Sequence, residues 1–198
     1  MRTAYIGMGG NLASWAGKPQ ATLAAAARRL ESLGRVVRRS SLYSTEPVGY
    51  AEQPRFLNAV VALETELEPG ELLRSLMAIE QEFGRDRRAG IANGPRTLDL
   101  DILLLGEMEI SQLDLEIPHP RLSERAFVLV PLNEIAPEAR VPRRGKTVAQ
   151  LLAHLCESSN GASDGVVRVG SDAWAARGAR GGGEQEAATA GADDPSLL

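Results

Sequence analysis

Asp99 and Asp101 stand two residues apart in Gly94-Pro95-Arg96-Thr97-Leu98-Asp99-Leu100-Asp101-Ile102-Leu103-Leu104-Leu105-Gly106, a run otherwise as apolar as a core strand. An unpaired carboxylate is costly to bury, so such a run normally excludes charge. In a strand alternate residues share a face. Thr97, Asp99, Asp101 and Leu103 then line one side, and Leu98, Leu100, Ile102 and Leu104 the other. The two carboxylates lie roughly 6.5–7 Å apart along the strand. Like charges at that spacing require a cation, a basic partner or a raised pKa. Arg85, Arg87, Arg88 and Arg96 lie just upstream. Hard oxygen ligands at i and i+2 suit Mg2+, which takes one or two carboxylates and fills its shell with phosphate oxygens. Metal-assisted chemistry on a phosphate ligand is therefore the sharp reading, and a solvated acidic face the plain one.

Two other groups stay open on residue type alone. His119, held between Pro118 and Pro120, is either a phosphate donor or a structural hydrogen bonder. Glu80 borders an apolar helical stripe near the basic loop and reads as a helix-surface acid or a ligand-site acid. Other motifs fail on spacing. Gly145-Lys146-Thr147 resembles the end of a phosphate-binding loop, but the required first glycine falls at Arg140. Gly7-Met8-Gly9-Gly10 lacks the third glycine of a dinucleotide fingerprint, having Leu12 there. Cys156 is the sole cysteine, which excludes an internal disulfide and a cysteine-rich zinc site.

The elements that must position these groups follow from periodicity. Thr3–Met8 reads as a strand ending at Gly9-Gly10-Asn11, a turn or close-approach signal. Leu23, Ala26, Ala27, Leu30 and Leu33 recur at helical spacing over 18–33, and Gly34 closes that helix. Residues 35–44 form a second strand. A long loop follows from Thr45 to Pro54, of a length usually reserved for function. In the strand over 56–66, Phe56, Asn58, Val60 and Ala62 share one face, with Asn58 its odd polar member. Pro69 and Gly84 bracket a second helix. After the acidic strand come a short segment over 109–115, a helix over 124–134 containing Pro131, and an amphipathic helix over 147–156. This order is the βαββαβ pattern of a ferredoxin-like α+β sandwich, an antiparallel sheet with helices packed on it plus C-terminal helices.

At 198 residues, 43% hydrophobic and 24% charged, the composition is that of a soluble globular protein with one packed domain. That domain spans 1–157. Over 158–198 glycine, alanine and aspartate dominate, and the tail is expected to be disordered, with Val166–Val169 and Trp174 making at most a transient contact. A net charge of −4 argues against a nucleic-acid surface, and no apolar run reaches the roughly 20 residues that span a bilayer. The chain opens without a signal-peptide pattern, so a cytoplasmic protein without a membrane partner is expected.

The stretch Gly94–Ile102 resembles the signature of the 6-hydroxymethyl-7,8-dihydropterin pyrophosphokinase family of folate biosynthesis. The likeness spans roughly residues 3–157. It takes in Gly9-Gly10-Asn11-Leu12, Tyr43-Ser44-Thr45-Glu46-Pro47, Phe56-Leu57-Asn58-Ala59, Ile117-Pro118-His119-Pro120-Arg121 and Arg125-Ala126-Phe127-Val128-Leu129. The resemblance implies the ferredoxin-like fold and transfer of the ATP terminal diphosphate to the pterin hydroxymethyl group, releasing AMP. It implies that Asp99 and Asp101 hold two Mg2+ ions. Arg85, Arg87 and Arg96 match phosphate-contacting positions, with Arg85, Arg96, Asp99 and Asp101 forming the catalytic set. Glu80, Ile102, His119 and Arg125 match further nucleotide-site positions. Thr45, Val48 and Asn58 match pterin contacts, and Phe56 and Phe127 the aromatic pterin site. An amide and a hydroxyl beside aromatic surface suit a flat heterocycle. Asn93 stands where the family often has an aromatic residue, and Pro120 where it often has tyrosine.

Such transfer is in-line attack of the pterin hydroxyl on the β-phosphorus, helped mainly by positioning and charge neutralisation. The proton acceptor stays open between Asp101 and a metal-bound water. A different phosphotransferase or nuclease using the same acids would not release AMP in a pterin-dependent way. A non-catalytic interaction module would not bind ATP with Mg2+. The chain is expected to be a monomer.

Overall fold

A computed structural model describes residues 1–50, 52–86, 93–158, 165–170 and 172–175. In chain order the elements are β1 (Arg2–Gly10), α1 (Pro19–Arg29), β2 (Arg35–Arg39), β3 (Leu42–Thr45), β4 (Phe56–Thr65), α2 (Pro69–Glu82) and β5 (Asp99–Leu105). Then come β6 (Ile110–Ser111), β7 (Glu116–Ile117), α3 (Ala126–Ile135), β8 (Arg140–Val141), β9 (Lys146–Thr147), α4 (Val148–Ser158), β10 (Val166–Val169) and α5 (Asp172–Ala175). The main sheet is antiparallel in the order β10-β3-β4-β1-β5, with β2 also paired to β4. This is the expected ferredoxin-like α+β arrangement.

The alternation within β4 explains the layering. Leu57, Ala59, Val61 and Leu63 pack with Ile6, Leu23, Leu30, Leu72, Leu76 and Phe83 under α1 and α2. Val60 and Ala62 point the other way, against Leu129, Leu132, Val148 and Leu151 of α3 and α4. Pro69 at the first turn of α2 loses no needed N–H. Glu71 accepts the Glu68 N–H at 3.2 Å across the same turn.

Three expectations change. The strand over 35–44 divides at Ser40, whose hydroxyl accepts the Val60 N–H at 2.9 Å and stands in for a ladder bond. In β5, Leu104 does not stay with Leu98, Leu100 and Ile102. The register slips by one residue where Tyr5 pairs with Leu104 but Ile6 pairs with Ile102. The extra residue, Leu103, makes a bulge that resets the alternation, so Leu103 and Leu104 both join the second core. The third change concerns the tail. Val166–Val169 is a strand on β3, and Trp174 is only 7% exposed, donating its indole N–H to the Ser40 carbonyl at 2.8 Å. That is a built-in contact rather than a transient one, because an otherwise bare sheet edge gains a partner there. The low-complexity run beyond Ala175 lies outside the described residues.

Candidate active site

Gly7 and Gly9 face Val60 and Asn58 on β4 and Asp101 and Asp99 on β5. Neither glycine carries a side chain, so the middle of β1 is a floor between two functional strands. A Cβ on Gly9 would stand 3.0 Å from Asn58 Oδ1. A Cβ on Gly10 would stand 2.4 Å from the Thr97 carbonyl oxygen, closer than packing permits. The Gly-Gly signal therefore marks close approach within a continuing strand rather than a turn. Asn11, next in line, accepts the Arg96 N–H at 2.8 Å and donates to the Pro54 carbonyl at 2.9 Å. It ties the approach to β5 to the long loop.

Asp99 and Asp101 share a face, as their spacing predicts, in a groove with Gly7, Gly9, Asn58, Arg96, Arg125 and Phe127. Arg85 Nη1 lies 2.9 Å from Asp99 Oδ1, and Arg96 Nε lies 3.1 Å from Asp99 Oδ2. Arg96 Nε is buried and its N–H is not aligned for a hydrogen bond, so that contact is an ion pair only. Burial and the neighbouring Asp99 push the Asp101 carboxyl up to about 6, against the opposing pull of Arg125, Arg96 and Arg85. A carboxylate raised in this way is stabilised by an added cation. The pair of hard oxygen donors thus fits Mg2+, with phosphate and water completing the shell.

The groove meets a larger cavity of about 330 Å³. Thr45, Val48, Phe56, Asn58, Arg96, Arg125 and Phe127 line it, so the structure brings all five expected pterin residues together. Asn58 is 8% exposed and donates to Thr45 Oγ1 at 2.7 Å, which fixes which way the amide points. The Arg96 guanidinium lies 4.8 Å from the Phe56 ring centre, and that of Arg125 lies 5.5 Å from Phe127. Each ring thus already offers a face to a flat cationic group.

Other expected residues are placed differently. Glu80 is 1% exposed, and its carboxylate accepts the Leu100 N–H at 2.8 Å. It is a buried clasp between α2 and β5 and not a helix-surface acid. The Ile102 side chain packs in the first core, on the face opposite the carboxylates, so it does not enter the groove. Parity alone dictates that outcome. His119 lines a separate cavity of about 280 Å³ with Glu116, Pro118, Pro120, Arg143 and Arg144. Its Nδ1 accepts the Arg121 N–H at 3.1 Å, which leaves the proton of the neutral ring on Nε2. Burial, then Arg125 and Arg121, lower its pKa and keep that ring neutral. Arg87 lies outside the described residues.

Glu46, Arg121, Glu124, Gly165 and Val166 also line the larger cavity, beyond the expected pterin residues. Glu46 sits beside Thr45 in a loop already read as functional, which was a usable signal. Val166 carried none. Asn93, the departure at the loop, lines the cavity with φ of 57° and accepts the Gln53 amide N–H at 2.8 Å through its carbonyl. Asparagine tolerates that left-handed conformation better than most residues.

Residues 5–137 match the family model of 7,8-dihydro-6-hydroxymethylpterin-pyrophosphokinase. The 2-amino-4-hydroxy-6-hydroxymethyldihydropteridine pyrophosphokinase of Pseudomonas aeruginosa is 48% identical over 149 residues, covering 75% of this chain and 89% of that protein. The Bacillus subtilis protein of the same name is 45% identical over 134 residues, covering 67% of this chain and 77% of its own length. Among solved structures, Plasmodium falciparum HPPK-DHPS superposes with a TM-score of 0.65 at 18% identity, over 84% of this chain and 48% of that one. The chain thus spans about half the length of that solved protein, and the likeness speaks for the fold. On the family match and the curated relatives, this chain belongs to the 7,8-dihydro-6-hydroxymethylpterin-pyrophosphokinase family.

Proposed function

We propose that the carboxylate groove and the aromatic cavity are the two halves of one pyrophosphokinase site. The chain is a pyrophosphokinase of folate biosynthesis acting on 6-hydroxymethyl-7,8-dihydropterin, with ATP as co-substrate. The pterin hydroxyl oxygen attacks the β-phosphorus of ATP. The bond from that phosphorus to the α,β-bridging oxygen breaks, AMP leaves with that oxygen, and the hydroxyl proton passes to solvent water. The observation that carries this reading is the shared wall: Phe56, Asn58, Arg96, Arg125 and Phe127 line both spaces.

Asp99 and Asp101 would hold two Mg2+ ions, which when bound neutralise phosphate charge and polarise the reacting phosphorus. Phe56 and Phe127 supply stacking surface for the pterin, while Asn58 and Thr45 orient its polar edge and Val48 closes one side. Arg85 and Arg96 now sit on Asp99, and phosphate oxygens would take them over as partners. Arg96, whose Nε is buried without a hydrogen bond, gains most from that exchange. Arg125 adds positive charge at the junction of the two spaces. His119, from its own cavity, would offer its Nε2–H to the nucleotide, and Glu80 shapes the site through the Leu100 backbone.

No helix among the described residues is long and apolar enough to cross a membrane. The chain would work as a cytoplasmic monomer without nucleic acid. An assay with ATP, Mg2+ and the hydroxymethyl dihydropterin tests the activity. Pterin-dependent release of AMP supports it; release of ADP, or hydrolysis indifferent to pterin, overturns it.

A further inference from the structure

Gly165 and Val166 lie beyond the span of the family match, yet they line the aromatic cavity. Val166 pairs with Thr45, and Thr45 pairs with Phe56, so three residues in a row across β10, β3 and β4 form one wall. Arg55 fastens the cavity end of this strap. Its guanidinium donates to Ser44 Oγ at 2.9 Å and to the Gly165 carbonyl at 3.3 Å, and it is ion-paired with cavity-lining Glu46. Trp174 fastens the other end, buried in the first core with its N–H on the Ser40 carbonyl. The two anchors bracket β3, which is only four residues long. Without β10 that short strand would be a sheet edge, poorly suited to hold Thr45 still.

We propose that this C-terminal strap is a positioning and size-selecting wall of the pterin cavity, in which Val166 sets the width beside Thr45 and Trp174 holds Val166 in register. The proposal rests on the assignment of that cavity to the pterin. Val166 acts on the substrate by contact. Trp174 acts only through the strap and is a positioning residue.

Full-length Val166→Phe and Trp174→Ala test it in the AMP assay, with pterin and ATP varied separately. Each is expected to raise KM for the pterin about tenfold, leaving kcat and KM for ATP within about twofold. Trp174→Phe, which keeps the ring but loses the indole N–H, is expected to restore most of the loss. Asn58→Ala is run beside them. If it leaves the pterin KM unchanged, the cavity assignment falls and the strap proposal with it. If it raises that KM while Val166→Phe and Trp174→Ala do not, the strap proposal alone is overturned. Losses in kcat and both KM values that merely follow a lowered Tm also overturn it. Should Trp174→Ala fail to fold, Val166→Phe decides.

Discussion

Asn58 and Asp99 face the same groove from opposite sides of Gly9, which is their partner on both neighbouring strands. The amide proposed to bind the pterin and the carboxylate proposed to hold metal are thereby separated by a single backbone with no side chain. Two substrates that must meet in line need such closeness, since misplacement of reacting groups is costly in rate.

Gly9→Ala places a methyl in that gap, 3.0 Å from Asn58 Oδ1. The backbone there needs no left-handed conformation, so the variant is expected to fold, with kcat/KM for the pterin lowered about tenfold or more. Gly10→Ala meets the Thr97 carbonyl at 2.4 Å, where backbone must shift. It is expected to destabilise the fold by about 1–3 kcal/mol in denaturant titrations. A Gly10→Ala protein as stable as the parent would contradict the close packing of β1 against the approach to β5.

Asp101 ties stability to pH. Its carboxyl is raised to about 6 in the fold, so between about pH 4 and about pH 6 the folded state holds a proton there that the unfolded chain has released. Stability from this group is complete below about pH 4 and is lost as pH rises toward about 6. Asp101→Asn is therefore expected to stabilise the metal-free protein at pH 7 by about 1–2 kcal/mol. The gain should vanish near pH 4. The same variant is expected to lose the rise in Tm that Mg2+ with ATP gives the parent. Thermal melts at both pH values, with and without Mg2+ and ATP, check this.

Arg96 combines an ion pair to Asp99 with a guanidinium stacked near Phe56. Lysine keeps the charge but neither the flat face nor the fork. Arg96→Lys is expected to lower kcat about tenfold or more with little change in Tm. Steady-state AMP release beside a thermal melt reads both. An unchanged kcat would remove Arg96 from the transfer step.

What could be read from the residues was whatever depends on local alternation. Asp99 and Asp101 share a face because a strand repeats every two residues, and Phe56 and Asn58 do so for the same reason. Leu104 escaped because a bulge at Leu103 is fixed by pairing with Tyr5 and Ile6, nearly a hundred positions away. The burial of Glu80 depends on the amide of Leu100, which helical spacing does not contain. Trp174 and Val166 escaped for a further reason. They sit in a stretch whose composition opposes a core, yet the open side of β3 gives Val166 a strand partner, and Trp174 takes a place in the first core. The substrate's identity came from the family resemblance.

Asp99 and Asp101 are proposed to hold the metal ions that serve diphosphate transfer. Asp99 is the sharper test because it also anchors Arg85 and Arg96. The measurement is pterin-dependent AMP release by purified Asp99→Ala at saturating ATP and Mg2+, with circular dichroism confirming the fold. A folded protein with AMP release abolished is the expected result. Near-normal turnover by that folded variant would contradict it.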